Sequence, residues 1–182
     1  MDRARFVTLL LTGLVLALNL AAENLHVDYN VPLWPEGKVP GSAGDWAIDN
    51  PYLTAVLPAE GKGSGAAVII CPGGANVKLF AHQEGMAIAE KMNAWGVAGF
   101  ILTYRLSPRY QQEARNMDGR RAVQLLRARA AEFKIDPKRI GMIGFSAGGG
   151  LIRAVAAQPV SGNPDATDPI DRVSSRPDFA RN

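Results

Sequence analysis

Histidine and cysteine are almost absent from this 182-residue chain, and each scarcity removes a class of chemistry. The single cysteine, Cys71, cannot close an internal disulfide, and at the end of the apolar run Ala67-Val68-Ile69-Ile70 it reads as a buried small hydrophobe. The two histidines, His26 and His82, both precede residue 83. No apolar stretch reaches the roughly 20 residues of a membrane span, no Gly-x-x-x-x-Gly-Lys-Ser/Thr loop for nucleotide phosphates occurs, and no internal repeat is visible. The net charge of +3 is spread thinly, its densest stretch being Arg105, Arg109, Arg115, Arg120, Arg121, Arg127 and Arg129. Without interleaved aromatics these arginines read as a solvated loop and helix face, so no nucleic-acid partner is expected. No metal or cofactor is expected either.

What is present centres on Ile140-Gly141-Met142-Ile143-Gly144-Phe145-Ser146-Ala147-Gly148. Its Gly-x-Ser-x-Gly core also builds ordinary glycine turns and phosphate-cradling loops. Here it joins a strand-like run, 139–145, to the helix-like stretch 151–157, the setting of a nucleophile elbow. Gly144 and Gly148 supply the lack of bulk that such an elbow needs where strand and helix nearly touch. The backbone N–H of Ala147, opening the helix, would then face a developing oxyanion at the positive end of the helix dipole. Pro72-Gly73-Gly74-Ala75-Asn76 follows another apolar strand, so the Gly74 amide is a second oxyanion candidate, although the same residues could form a plain tight turn.

An apolar fraction of 47% suits a globular core. Residues 1–22 read as a signal peptide, with a charged start, the apolar stretch 6–18 and a small-residue exit after Ala22. Export, secreted or periplasmic, follows, with no stable membrane anchor after cleavage. Residues 23–52 read as an extended N-terminal arm with Trp34 and Trp46 as anchors. From residue 53 to 182 strands and helices alternate: strands over 53–57, 66–71, 97–104 and 139–145, and helices over 84–95, with Ile88, Met92 and Trp95 on one face, and from Asp118 onward. That order argues an α/β fold with a mostly parallel sheet and helices on both faces. His82, just before a helix, reads as a capping or loop-packing residue and His26 as exposed. Asp165, Asp168 and Asp171 lie in a Pro-rich loop without a neighbouring histidine.

Taken together, Leu33-Trp34-Pro35, Cys71-Pro72-Gly73-Gly74, His82-Gln83-Glu84-Gly85, Tyr104-Arg105-Leu106, Asp118 with Arg121-Ala122, and residues 135–149 resemble the secreted α/β-hydrolase esterases of the acetyl-xylan esterase and acetyl esterase/lipase type. The resemblance implies Ser146 as nucleophile, amides near Gly74 and Ala147 as oxyanion donors, and short acyl esters, including acetylated polysaccharide, as substrates. Same-fold peptidases or lactone hydrolases, and a non-catalytic carbohydrate-binding surface protein on a hydrolase scaffold, are the rival readings. Three departures stand out. Ala75-Asn76 replaces a third glycine and an aromatic, Gly150 replaces a histidine, and no histidine follows Ser146, although the triad order in this class is Ser, then Asp or Glu, then His. The triad Asp and His are therefore expected to be missing, and the fold to be a partial one lacking its C-terminal strands, giving an inactive or weakly active chain. On that expectation the 139–145 strand becomes an exposed edge prone to aggregation.

Overall fold

The structure, a computed structural model, describes residues 29–181; the expected signal peptide and His26 lie outside them. Six strands form one sheet: β1 (Tyr29–Pro32), β2 (Tyr52–Val56), β3 (Ala67–Cys71), β4 (Ala98–Thr103), β5 (Ile140–Gly144) and β6 (Phe179–Arg181). Their order across the sheet is β1-β2-β4-β3-β5-β6. The β1–β2 and β2–β4 pairs are antiparallel, and β4–β3, β3–β5 and β5–β6 are parallel. The helices are α1 (Ala87–Ala94), α2 (Gln112–Ala128) and α3 (Ala147–Ala157).

Both sheet faces are covered, and the two-residue period of a strand explains how. Ala67, Ile69 and Cys71 of β3 join Phe100 and Leu102 of β4 in a core with Leu125 and Leu126 of α2 and Leu151, Ile152 and Val155 of α3. The alternate residues Val68, Ile70 and Ile101 point to the other face, where Ala89 of α1 packs, flanked by Ile88 and Met92. Strands buried on both faces read as continuous apolar runs. The α/β class with a mostly parallel sheet and helices on both sides is what the sequence implies.

Several details differ from the sequence reading. The first helix begins as a π-turn, His82–Met86, and Trp95 is 71% exposed instead of sharing the buried face of α1. The second helix starts at Gln112, which leaves Asp118 in mid-helix and fully buried. The N-terminal arm contributes β1, paired residue by residue with β2 from Tyr29↔Ala55 to Pro32↔Tyr52. Nor is β5 an edge. Phe179, Ala180 and Arg181 pair with Gly141, Met142 and Ile143, and the Phe179 ring sits where a Gly141 side chain would be, 2.0 Å from a Cβ built there. The edge on this side of the sheet is the three-residue β6, short enough to offer little to a second chain.

The arginine stretch also departs from expectation. Arg105, Arg115 and Arg121 are 1%, 5% and 3% exposed. Arg105 donates to Asp118 from its backbone N–H (2.8 Å), Nε (3.0 Å) and Nη2 (2.7 Å), and reaches the Pro40 carbonyl through Nη1 at 2.7 Å. Burial pushes the Asp118 carboxyl up to about 6 against the pull of Arg105. Arg121 holds Asp168 at 2.5 Å, Asp171 at 2.9 Å and the Leu33 carbonyl at 2.8 Å. Trp34 lies beside both guanidiniums, 5.6 Å from each. Arg109 and Tyr110 both donate to buried Asp49, and the Arg109 hydrogen bonds hold that carboxyl at about 2. These arginines tie residues 33–49 and 168–171 to α2. A planar, five-donor guanidinium suits such multi-point fastening.

Candidate active site

At the C-terminal end of β5 the chain turns sharply into α3. Ser146, exposed, occupies the turn with φ 48° and ψ −111°. A left-handed φ costs a non-glycine residue of order 1–3 kcal/mol and persists only when its surroundings impose it. The surroundings here are backbone. A Cβ on Gly144 would lie 2.4 Å from the Gly148 carbonyl oxygen, and one on Gly148 would lie 1.9 Å from that of Cys71. The Phe145 N–H donates to the Cys71 carbonyl at 3.1 Å, and the Gly148 N–H to that of Phe145 at 2.8 Å. The three elements β3, β5 and α3 therefore meet with no side chain between them, and both elbow glycines lie where the sequence reading puts them.

Ala147 is the first residue of α3, so its N–H belongs to the group that finds no acceptor within the helix, at the positive end of the dipole. The second oxyanion candidate lies in the loop after β3. A Cβ on Gly73 would lie 3.1 Å from the Ser146 Cβ and 2.7 Å from the Phe145 carbonyl oxygen, so this loop passes directly beside the serine. The chain then runs through three consecutive positive φ angles, Gly74 at 137°, Ala75 at 54° and Asn76 at 63°. The Gly74 carbonyl accepts from Val77 and Lys78 at 3.1 and 3.2 Å, closing the turn. Gly74 is thus part of a tight turn packed on Lys78, and it is the preceding residue, Gly73, that lies beside the serine. Gly150, which faces open space apart from Arg153 at 3.9 Å, makes a helix-turn hydrogen bond to the Ser146 carbonyl at 3.1 Å.

His82 is exposed at the start of the π-turn, and among the described residues no hydrogen bond joins it to Ser146. Asp165 is exposed, while Asp168 and Asp171 are committed to Arg121. No cluster of three potential metal ligands occurs among the described residues. Two grooves, of about 1370 and 480 Å³, flank Trp34 and Arg121, and neither is lined by Ser146. Cys71 is buried and its thiol pushed up by that burial, away from the thiolate a nucleophile requires.

One residue of the site escaped the sequence reading. The Glu84 Oε2 accepts from the Gly73 N–H at 2.7 Å and would lie 2.9 Å from a Cβ built on Gly73. Its position depends on the π-turn, which a 3.6-residue period does not announce.

Known proteins resemble this chain in sequence and fold. The acetylxylan esterase of Xylanibacter ruminicola is 32% identical over 93 residues, 51% of this chain and 19% of that protein. The crystal structure of an acetyl ester-xyloside bifunctional hydrolase from Caldicellulosiruptor lactoaceticus is 33% identical and superposes with a TM-score of 0.77, covering 84% of this chain and 56% of that one. MGS-M1, an α/β hydrolase enzyme from a deep-sea metagenome of the Medee basin, shares the fold at 20% identity, with a TM-score of 0.60 over 85% of this chain and 55% of that one. The chain thus spans about half the length of the solved structures and about a fifth of the curated relative. The BD-FAE family model matches residues 53–167, from β2 through the elbow and past α3, and the chain belongs to the BD-FAE family.

Proposed function

We propose that this chain carries the nucleophile and oxyanion donors of a serine esterase for short acyl esters, with acetylated xylan-type polysaccharide as the substrate class. The observation that carries the proposal is the backbone of Ser146, held at φ 48° between two glycines that touch neighbouring carbonyls. The Ser146 Oγ attacks the ester carbonyl, whose oxygen takes up negative charge facing the N–H groups of Ala147 and Gly74. The alcohol then leaves, and water releases the acyl group from Ser146. The relatives named for acetylxylan and acetyl ester hydrolysis support an acetyl group as the acyl part.

A serine hydroxyl is a weak nucleophile without a base, and general-base assistance contributes about 10²- to 10⁴-fold. With no imidazole bonded to Ser146 among the described residues, we expect slow turnover of p-nitrophenyl acetate that Ser146→Ala removes entirely. Equal rates in the two proteins would refute the assignment. Turnover of a peptide or lactone in preference to acetylated xylan would move the substrate class, and sugar binding that survives Ser146→Ala without any ester hydrolysis would support a non-catalytic scaffold. Export is part of the same proposal, resting on the pattern of residues 1–22. N-terminal sequencing of exported material is expected to begin at Glu23.

A further inference from the structure

The structure assigns Glu84 a positioning role in the oxyanion site, an inference that rests on the serine-esterase reading. The peptide unit between Pro72 and Gly73 is gripped at both ends. Its carbonyl accepts from the buried Tyr104 hydroxyl at 2.7 Å, and its N–H donates to the Glu84 carboxylate at 2.7 Å. Burial raises the Tyr104 hydroxyl well above its ordinary range, which keeps it a donor. The next unit is held on one side only, the Gly73 carbonyl accepting from the Phe80 N–H at 3.1 Å. In a planar trans peptide C=O and N–H point in opposite directions, so the Gly74 N–H is turned away from Phe80, and among the described residues it donates to no backbone carbonyl.

The grip is steric as well as polar. Gly73 fits against the Phe145 carbonyl, the Glu84 carboxylate and the Ser146 side chain at once, with no room for a Cβ. A glycine pair is otherwise the most mobile backbone available. Removing the carboxylate leaves the 72–73 plane held by Tyr104 at its carbonyl end only, so the plane can tilt about that bond, and the Gly74 amide tilts with it. An oxyanion donor must lie close to its aimed position to act, since loss of one such donor costs about 10²- to 10³-fold in rate. Glu84 touches no substrate atom in this account; it acts through the loop.

The π-turn explains how the residue gets there. Met86 and Ala87 donate to the carbonyls of Ala81 and His82, five residues back. Gly85 allows the turn to lie against Ile101, where a Cβ would approach Cγ2 to 2.8 Å. An extra residue per turn swings Glu84 toward the end of β3, and π-turns of this kind recur at functional sites.

The test uses a fluorophosphonate, which phosphonylates an active serine: the Oγ–P bond forms, the P–F bond breaks, and fluoride and the hydroxyl proton leave. Because the label is irreversible, intact mass followed over hours integrates even slow chemistry. In the whole chain we expect Ser146-dependent labelling, slowed at least tenfold in Glu84→Ala at unchanged thermal midpoint, with most of the loss recovered in Glu84→Gln, whose amide oxygen can still accept from Gly73. In parallel, the Gly73 amide proton should resonate downfield in the unmodified protein, stay downfield in Glu84→Gln and shift upfield in Glu84→Ala. No labelling above Ser146→Ala overturns the serine reading and the role together. Labelling of the unmodified chain that Glu84→Ala leaves undiminished, or that both variants slow equally, overturns the Glu84 assignment alone.

Discussion

Around Ser146 the chain packs backbone against backbone, whereas around α2 it packs charge against charge. Gly144 and Gly148 leave no space for even one carbon where β3, β5 and α3 converge. Arg105 and Asp118 fill a comparable depth, at 1% and 0% exposure, with one of the largest side chains and its counter-ion. The first arrangement leaves nothing to adjust, so a single methyl group is felt directly. The second consists of two costly groups that are tolerable only together, because each offsets the desolvation of the other. The region around Ser146 is thus limited by sterics and the arm-to-helix region by electrostatic dependence.

The sharpest way to break the comparison is to remove one charge. Asp118→Ala strands Arg105 without its counter-ion in a dry site, and breaking a buried pair costs about 3–5 kcal/mol. The chain is expected to melt far earlier or to fail to fold, as followed by circular dichroism. Replacing both partners, Arg105→Met with Asp118→Leu, should cost less than Asp118→Ala alone, since matched apolar groups need no partner. A double variant less stable than Asp118→Ala would mean that the contacts of Arg105 with Pro40 and Ala114 matter more than its charge pair.

A smaller loss is expected at the elbow. Gly148→Ala drives a methyl group to within 1.9 Å of the Cys71 carbonyl oxygen, which neither rotamer change nor side-chain retreat can relieve. Overpacking of this sort costs about 1–3 kcal/mol, part of it returned by the better helix propensity of alanine. Stability measured in urea should therefore fall modestly, while Ser146-dependent ester turnover falls to background because the serine loses its seat. A variant that keeps turnover would show that β3 and α3 can part without displacing Ser146.

The same contrast explains what could be read in advance. Backbone contact demands glycine, and glycine at fixed spacing about a serine is visible in the sequence, so the close-packed turn at Gly144 and Gly148 and the alternation of strands and helices were legible. Buried charge leaves no such trace. Arg105, Arg115 and Arg121 have the composition of a solvated face, and only the fold shows that all three are buried and that Arg105 and Arg121 lie under residues 33–40. The placement of Asp118 at a helix start failed for a related reason: a carboxylate usually marks a helix end, and here a buried arginine holds it in mid-helix. Glu84 was hidden by the π-turn, and β6 by its length of three residues, too short for any periodicity. Register and edge status are properties of pairing, which a single strand's sequence does not contain.

The smallest effect, and the one that best tests how tightly the region around Ser146 is determined, concerns Ala75. It takes φ 54° between Gly74 and Asn76, and asparagine tolerates that region while alanine does not. A left-handed alanine carries roughly 1–2 kcal/mol of backbone strain. Ala75→Gly removes that strain but adds about 0.4–1 kcal/mol of unfolded-state entropy. The net gain should fall between about 0 and 1.6 kcal/mol, which at about 2–4 °C per kcal/mol for a chain of this size raises the melting temperature by no more than about 6 °C. Ala75→Val, which brings a β-branched side chain into the same conformation, should lower it. The residue is exposed, so lost packing does not confuse the comparison. If glycine and valine melt at the same temperature as alanine, the loop after β3 does not hold Ala75 in the left-handed region. The aim of the Gly74 amide would then have to come from the hydrogen bonds of Tyr104, Glu84 and Phe80.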